Sequence, residues 1–178
     1  MKIVTFAASN SSKSINKELI RYATTFLTDH DVEMIDINDF KLPIYSADLE
    51  EKHGVPDAAS DFLNHIEQAD ALLISYAEHN GNYTAAYKNL FDWASRKKLD
   101  VYHKKPIIML STSPGPNGAN TVLSMAKNTA HFYDGTVIAS LSIPSFYDNY
   151  DQENMKLKDE TLKTEFVNVL NAFNNVKI

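Results

Sequence analysis

Ile3-Val4-Thr5-Phe6-Ala7-Ala8 passes directly into Ser9-Asn10-Ser11-Ser12-Lys13-Ser14 and then into Ile15-Asn16-Lys17-Glu18-Leu19, with Tyr22, Ala23 and Phe26 continuing the apolar spacing. A nearly continuous apolar run is what a strand covered on both faces requires, and apolar residues three and four apart mark a helix lying on it. Repetition of that unit decides the fold. Further apolar runs follow at Val32–Ile37, Ala71–Tyr76, Pro106–Thr112 and Thr136–Leu141. Helical periodicity fills the gaps. Pro56 to Gln68 has Pro56 in place for a first turn and Phe62 and Ile66 as anchors. Tyr83, Ala86, Tyr87, Leu90, Phe91 and Ala94 mark the next helix, then Ala119, Val122, Leu123, Ala126, Ala130 and Tyr133, and finally Leu162, Phe166, Val169, Leu170 and Phe173. Strand and helix alternating five times imply an α/β sandwich with a parallel sheet and right-handed crossovers. Five strands are too few for the eight-stranded barrel. The expectation is an open doubly wound sheet with helices on both faces, formed as one domain over residues 1–178. The longest irregular stretch is Leu42–Val55, and loops of that length are often functional.

Composition narrows the function. At 178 residues the chain should bury about 70% of its extended surface without staples. Its 44% hydrophobic and 22% charged residues are those of a globular protein. Seventeen Lys and Arg against 23 Asp and Glu leave a net charge of −6, which argues against a nucleic-acid binder reliant on a basic face. With no cysteine there are no disulfides, thiolate metal sites or cysteine nucleophiles. No run approaches the roughly 18 apolar residues of a membrane span. The first residues enter a strand without the pattern of a signal peptide, so a cytoplasmic protein is expected and the Asn10 and Asn82 triplets carry no glycosylation meaning.

In an open parallel sheet, ligands bind beyond the carboxyl ends of the strands where the strand order reverses. Three loops therefore matter. Ser9 to Asn16 offers hydroxyls, amides and a helix N-terminus, suited to a phosphate or simply to capping the helix. Ala77-Glu78-His79-Asn80-Gly81-Asn82-Tyr83 places a glycine between two asparagines, which lets backbone approach a ligand closely. Ser113-Pro114-Gly115-Pro116-Asn117-Gly118 is a third turn-rich loop on the same edge. Neither G-x-G-x-x-G nor a P-loop occurs, nor a G-x-S-x-G elbow. His30, His53, His65, His79, His103 and His131 are scattered, so no metal site is expected.

On these residues the chain resembles the NADPH-dependent FMN reductases, flavodoxin-like quinone, azo and flavin reductases. Ser9, Ser14 and Asn16 match the family's first-loop pattern G-S-x-R-x-x-S-x-N. The third loop, P-E-Y-N-G before a helix with K-N-x-x-D-W, stands here as Ala77-Glu78-His79-Asn80-Gly81 and Lys88-Asn89-Leu90-Phe91-Asp92-Trp93. Leu42-Pro43 with Asp48-Leu49-Glu50 follows the second strand, and Ser113 and Gly115 fit the fourth loop. There are departures. Ser11 stands where the family has arginine, with Lys13 the nearby cation, and Ala8, Ala77 and His79 replace Gly, Pro and Tyr.

The resemblance implies a three-layer flavodoxin-like sandwich with strand order 2-1-3-4-5. It implies an FMN site from Ser9, Ser11, Ser14, Ile15, Asn16, Ala77, Glu78, His79, Asn80, Gly81, Ser113 and Gly115. The phosphate would sit among Ser9, Ser14 and Asn16, the ring's N5 and O4 against the 77–81 amides, and its pyrimidine end near Ser113 and Gly115. NADPH or NADH would deliver hydride to flavin N5, and two electrons would pass to a quinone, azo compound, flavin or similar small acceptor by a ping-pong mechanism. No side chain is then assigned a catalytic role, consistent with the lack of a triad or carboxylate pair. A homodimer or homotetramer is implied, with the 42–55 loop and the Lys88–Trp93 helix at the interface. Two other readings share the fold: a flavodoxin-type electron carrier, and a flavin-free regulatory or scaffolding descendant. Glu78 is expected to face solvent or a subunit contact, and Lys88 and Asp92 to pair along their helix. Trp93 falls off the main apolar stripe, placed to cover a neighbouring surface. The two arginines, Arg21 and Arg96, give no sign of a 2′-phosphate preference.

Overall fold

A computed structural model describes residues 1–176. In chain order the elements are β1 (Lys2–Ala8), α1 (Ile15–Thr24), β2 (Asp31–Met34), α2 (Ala47–His53), α3 (Asp57–Gln68) and β3 (Ala71–Tyr76). A two-residue ladder, β4 (Glu78–His79) with β5 (Asn82–Tyr83), precedes α4 (Ala85–Lys97) and β6 (Pro106–Thr112). Then come α5 (Asn120–Thr129), β7 (Thr136–Ile143), the short α6 (Phe146–Asn149), the ladder of β8 (Tyr150–Asp151) with β9 (Lys156–Leu157), and α7 (Glu160–Leu170). The main sheet has the order β2-β1-β3-β6-β7 with every pairing parallel, the 2-1-3-4-5 arrangement that the resemblance implies.

The apolar strand residues divide by face. Val4, Phe6, Leu72, Ile74 and Met109 pack under α3, α4 and α5. Ile3, Leu73, Ile108 and Leu110 pack under α1 and α7. Burial on both sides is why these strands read as continuous apolar runs rather than alternating ones. On the first face the hydroxyls of Tyr76, Tyr87 and Tyr102 meet one another at 3.2–3.5 Å, and burial holds all three phenols well above their ordinary pKa.

Four local expectations are corrected. The second strand stops at Met34 rather than Ile37, because Asp36 accepts from the Asn38 amide (3.0 Å) and turns the chain into a 3-10 segment at Ile37–Asp39. The 42–55 stretch is not wholly irregular: α2 lies within it, capped by Ser46 and ended by Gly54 at φ 75°. None of its residues is buried, so it has no apolar stripe to read. Tyr83 belongs to the β5 ladder, because Thr84 caps α4 and donates to the Ala8 carbonyl (3.0 Å), fixing the helix start to the end of β1. Phe26 lies beyond α1 and is 36% exposed.

Trp93 is fully buried, donating from Nε1 to the Pro43 carbonyl (2.8 Å) with the Tyr45 ring edge-on at 5.0 Å. The surface it covers is therefore the 42–46 segment. Asn89 completes the clamp, accepting from the Tyr45 amide and donating to the Pro43 carbonyl. Lys88 and Asp92 pair at 2.7 Å.

One ion pair joins α1 to the loop after β2: Lys17, with its side chain 8% exposed, meets Asp36, which is 40% exposed. Burial pushes the Asp36 carboxyl up, but the Lys17 ammonium and the Asn38 amide outweigh it and hold the group below its usual pKa. Its contribution is full above about pH 3.9 and is lost as pH falls through the lower folded value. Asp36→Asn leaves the shielded ammonium without its carboxylate. Because the Asp36 side is open to water, the expected loss in urea unfolding at pH 7 is about 1–2 kcal/mol, shrinking on acidification.

Candidate functional site

The carboxyl ends of β1, β3 and β6 open onto a common cleft of about 220 Å³. Nine of the twelve residues nominated from sequence line it: Ser9, Ser11, Ser14, Ile15 and Asn16 from the first loop, Ala77, Glu78 and His79 from the third, and Ser113 from the fourth. Asn80, Gly81 and Gly115 do not, and each has a backbone task nearby. Asn80 and Gly81 form the left-handed turn (φ 53° and 74°) that lets Glu78 pair with Tyr83. The Gly115 carbonyl accepts from the Ser145 amide (2.9 Å), the Gly118 amide (3.2 Å) and Ser113 Oγ (3.3 Å).

The first loop presents a helix N-terminus. Ser14 Oγ accepts from the Lys17 amide (3.3 Å), while the first-turn amides of Ile15 and Asn16 have no intrahelical acceptor and lie at the cleft. Ser9 Oγ accepts from the Ser11 amide (3.3 Å), folding the loop back towards that terminus. Among the described residues, Lys13 is the one lysine or arginine in the cleft lining. Free amides, hydroxyls, a helix dipole and an ammonium together suit a phosphate.

Asn16 plays a different part from the one its motif suggests. Its side chain is spent inside the fold: Oδ1 accepts from Ser75 Oγ (2.7 Å) and the Thr112 amide (3.2 Å), and Nδ2 donates to the Thr112 carbonyl (3.1 Å). With 2% of the residue exposed, only its backbone amide is on offer to an anion. The motif could not separate a ligand from a tie, because both want an amide at the same helix turn.

The fourth loop is fixed by glycine. The Gly118 carbonyl accepts from Ser111 Oγ (2.8 Å) and Ser142 Oγ (2.9 Å), drawing the loop onto β6 and β7. A Cβ at Gly118 would fall 2.3 Å from Ser142 Oγ and 2.9 Å from the Ile143 backbone, and φ is +60°. Glu78 does not simply face solvent: its Oε2 accepts from the Val122 amide (2.9 Å) in the first turn of α5.

Sequence reading missed Thr112, Pro114 and Tyr147, which also line the cleft. Tyr147 comes from α6, just after β7, and the aromatic pair Phe146-Tyr147 beyond a strand end is the signal that could have found it. A second cleft of about 250 Å³ lies alongside, between Asn10, Asn38, Phe40 and the α4 residues Ala86 and Leu90. Among the described residues there is no group of three or more acidic or histidine side chains that could hold a metal, and no helix long and apolar enough to cross a membrane.

A 2-1-3-4-5 parallel sheet carrying an anion-suited helix terminus and a backbone-lined slot at one edge defines a flavodoxin-like cofactor-binding protein. Residues 1–148 match the family described as NADPH-dependent FMN reductase, and the chain belongs to it. A 2-hydroxy-1,4-benzoquinone reductase from a Burkholderia species is 28% identical over 97% of this chain and 92% of its own length. An NAD(P)H-dependent FMN reductase of Pseudomonas aeruginosa is 30% identical over 75% of this chain and 71% of its own. The flavoenzyme NAD(P)H:(acceptor) oxidoreductase FerB from Paracoccus denitrificans superposes with a TM-score of 0.80, at 23% identity over 98% of this chain and 95% of its own. The protein is accordingly an oxidoreductase of the NAD(P)H-dependent FMN and quinone reductase type, with FMN as cofactor and a nicotinamide as donor.

Asn16→Ala strips partners from Ser75 and from both backbone groups of Thr112 in a buried setting. Expected is a loss of about 2–4 kcal/mol in reversible denaturant unfolding, far beyond what an exposed Asn→Ala change would cost.

Proposed function

We propose that this chain, as one reductase domain over residues 1–178, passes two electrons from NADPH or NADH to a quinone or a similar small acceptor by a ping-pong mechanism. Azo compounds and free flavins fall in the same acceptor class. The observation that carries the proposal is the cleft. Lys13 and the α1 terminus suit a phosphate at one end, and the backbone of 77–79 and 112–114 suits a planar ring at the other. FMN, when bound, supplies the hydride acceptance and electron delivery. This chain's residues bind and orient. Lys13 with the Ile15 and Asn16 amides neutralises phosphate charge. The 77–79 backbone offers donors to a ring edge, and Ser113 offers a hydroxyl to its polar end. The Burkholderia relative's name supports a quinone as acceptor, and the cytoplasm is the compartment in which this reductase would work.

The deciding experiment is a visible spectrum after FMN saturation and desalting, followed by anaerobic NADPH or NADH. Retained bands that bleach support the reductase. Bands that persist point to an electron carrier, and a colourless protein to a flavin-free descendant. In steady state, double-reciprocal lines at several acceptor concentrations should run parallel, since donor and acceptor use one site in turn, and converging lines would overturn the ping-pong order. Lys13→Ala removes that ammonium from the lining. FMN binding followed by fluorescence quenching should weaken about tenfold, with a shallower dependence on salt.

A homodimer is part of the proposal. Ile44 is 87% exposed on a segment locked to α4 by Trp93 and Asn89, and a rigidly held, solvated isoleucine is what a subunit contact would cover. Light scattering at micromolar concentration should give twice the chain mass or a multiple of it, and Ile44→Asp should shift the population towards monomer.

A further inference from the structure

From the Glu78 contact we infer that Glu78 is a positioning residue: its carboxylate is a tie-bar between the third loop and the first turn of α5, the helix that follows the fourth loop, and it sets the pose in which the 77–79 backbone meets FMN. The inference rests on the FMN reading above and adds to it a role for a side chain whose carboxylate is spent on α5.

The starting point is a defect in α5. Its N-cap is Ala119, held left-handed at φ 63° and without a side-chain acceptor; the Asn117 carbonyl takes the Asn120 amide (3.0 Å), and the later first-turn amides lack the usual capping side chain. The acceptor comes instead from Glu78, 44 residues away, through the 2.9 Å bond to the Val122 amide. The hairpin tip also lies beside that turn: a Cβ built on Gly81 would stand 3.9 Å from Thr121 Cγ2.

The third loop is held at its foot, where Thr84 donates to the Ala8 carbonyl (3.0 Å) and Tyr83 packs on Tyr76 and Tyr87, and the Glu78 bond adds a hold on α5. The fourth loop is drawn onto the sheet by Ser111 and Ser142 through Gly118, and α5 begins directly after it. The third loop leaves β3 after Tyr76 and returns through a ladder of only two residue pairs, with Asn80 and Gly81 both at positive φ. So short a hairpin does not hold its own shape in water. Because Glu78 lies between Ala77 and His79, all three of them in the cleft lining, fixing its side chain on α5 fixes the direction of the neighbouring amides. The carboxylate sits at the positive end of the α5 dipole and accepts there, so its charge is matched by the helix. What the site needs first from residue 78 is an acceptor of the right length, with the charge adding a smaller increment at the helix terminus.

The test compares Glu78→Ala, Glu78→Gln and Glu78→Asp with the wild type in two measurements. FMN affinity is followed by fluorescence quenching. Amide hydrogen exchange of the FMN-free protein is followed at Val122 and across 77–83. Glu78→Ala should weaken FMN about tenfold, roughly the worth of one helix cap bond, and speed exchange at both places. Glu78→Gln keeps the acceptor and should stay within about twofold of wild type. Glu78→Asp, one methylene short, should fall between them, and it stands in if Glu78→Ala does not fold. A lower melting temperature with unchanged FMN affinity would reduce Glu78 to a helix cap and overturn the inference. So would a Glu78→Gln variant as weak as Glu78→Ala, since the charge would then be what counts. If the wild type fails to bind FMN, it is the cofactor reading that fails. The exchange data still decide whether Glu78 ties the hairpin to α5.

Discussion

The edge of a parallel sheet where its strands end is a place of unsatisfied backbone groups, and the site is built around one side chain that answers them. Asn16 reaches from the first turn of α1 to the Ser75 hydroxyl on β3 and to both backbone groups of Thr112 on β6. An amide suits the place because it carries a donor and an acceptor on one rigid plane. Through it the helix N-terminus is held in a constant position against two strand ends, which is the condition for an anion site to have a shape. Thr84 repeats the arrangement for α4, bonding the Ala8 carbonyl at the end of β1.

From these ties the architecture of the cleft follows outward. Buried hydroxyls on the strands spend their bonds on what lies beside them: Ser75 on the α1 terminus, Ser111 on the fourth loop and Thr112 on the end of β7. Gly118 permits the closest approach because no side chain intervenes. Glu78 then bonds the third loop to the first turn of α5. The chain thus separates its labour: buried polar side chains arrange backbone, and backbone with a few hydroxyls and Lys13 faces the ligand. Such a division suits chemistry carried by a cofactor, for which the protein supplies orientation and hydrogen bonds.

The legible parts of the sequence were those with a single physical reading. Ala71–Tyr76 is buried along its whole length, and an uninterrupted apolar run of that length has few other uses in a chain with helical neighbours. The ion pair of Lys88 with Asp92 is local, four residues apart on one helix, so spacing was enough. Illegible were the features whose partners lie far along the chain. Helix α2 buries none of its residues and left no pattern. Trp93 sits off the apolar stripe because what it buries against is the Pro43 carbonyl and Tyr45, not the sheet. Glu78 has the composition of an exposed turn residue, and its partner is an amide 44 positions on.

By itself the sequence determined the alternation of buried strands and amphipathic helices, and so a doubly wound parallel sheet. It also determined which three loops share an edge and, through their motifs, the family. Periodicity and turn chemistry are local properties, set by residues a few positions apart. The tertiary structure alone decided what each polar side chain in those loops does. It turned Asn16 inward to hold strands, left Lys13 at the cleft, and sent Glu78 across to α5. The reason is geometric: a side chain's role at a sheet edge is set by which backbone groups need a partner within about 3 Å, and those groups meet only when the whole sheet has formed.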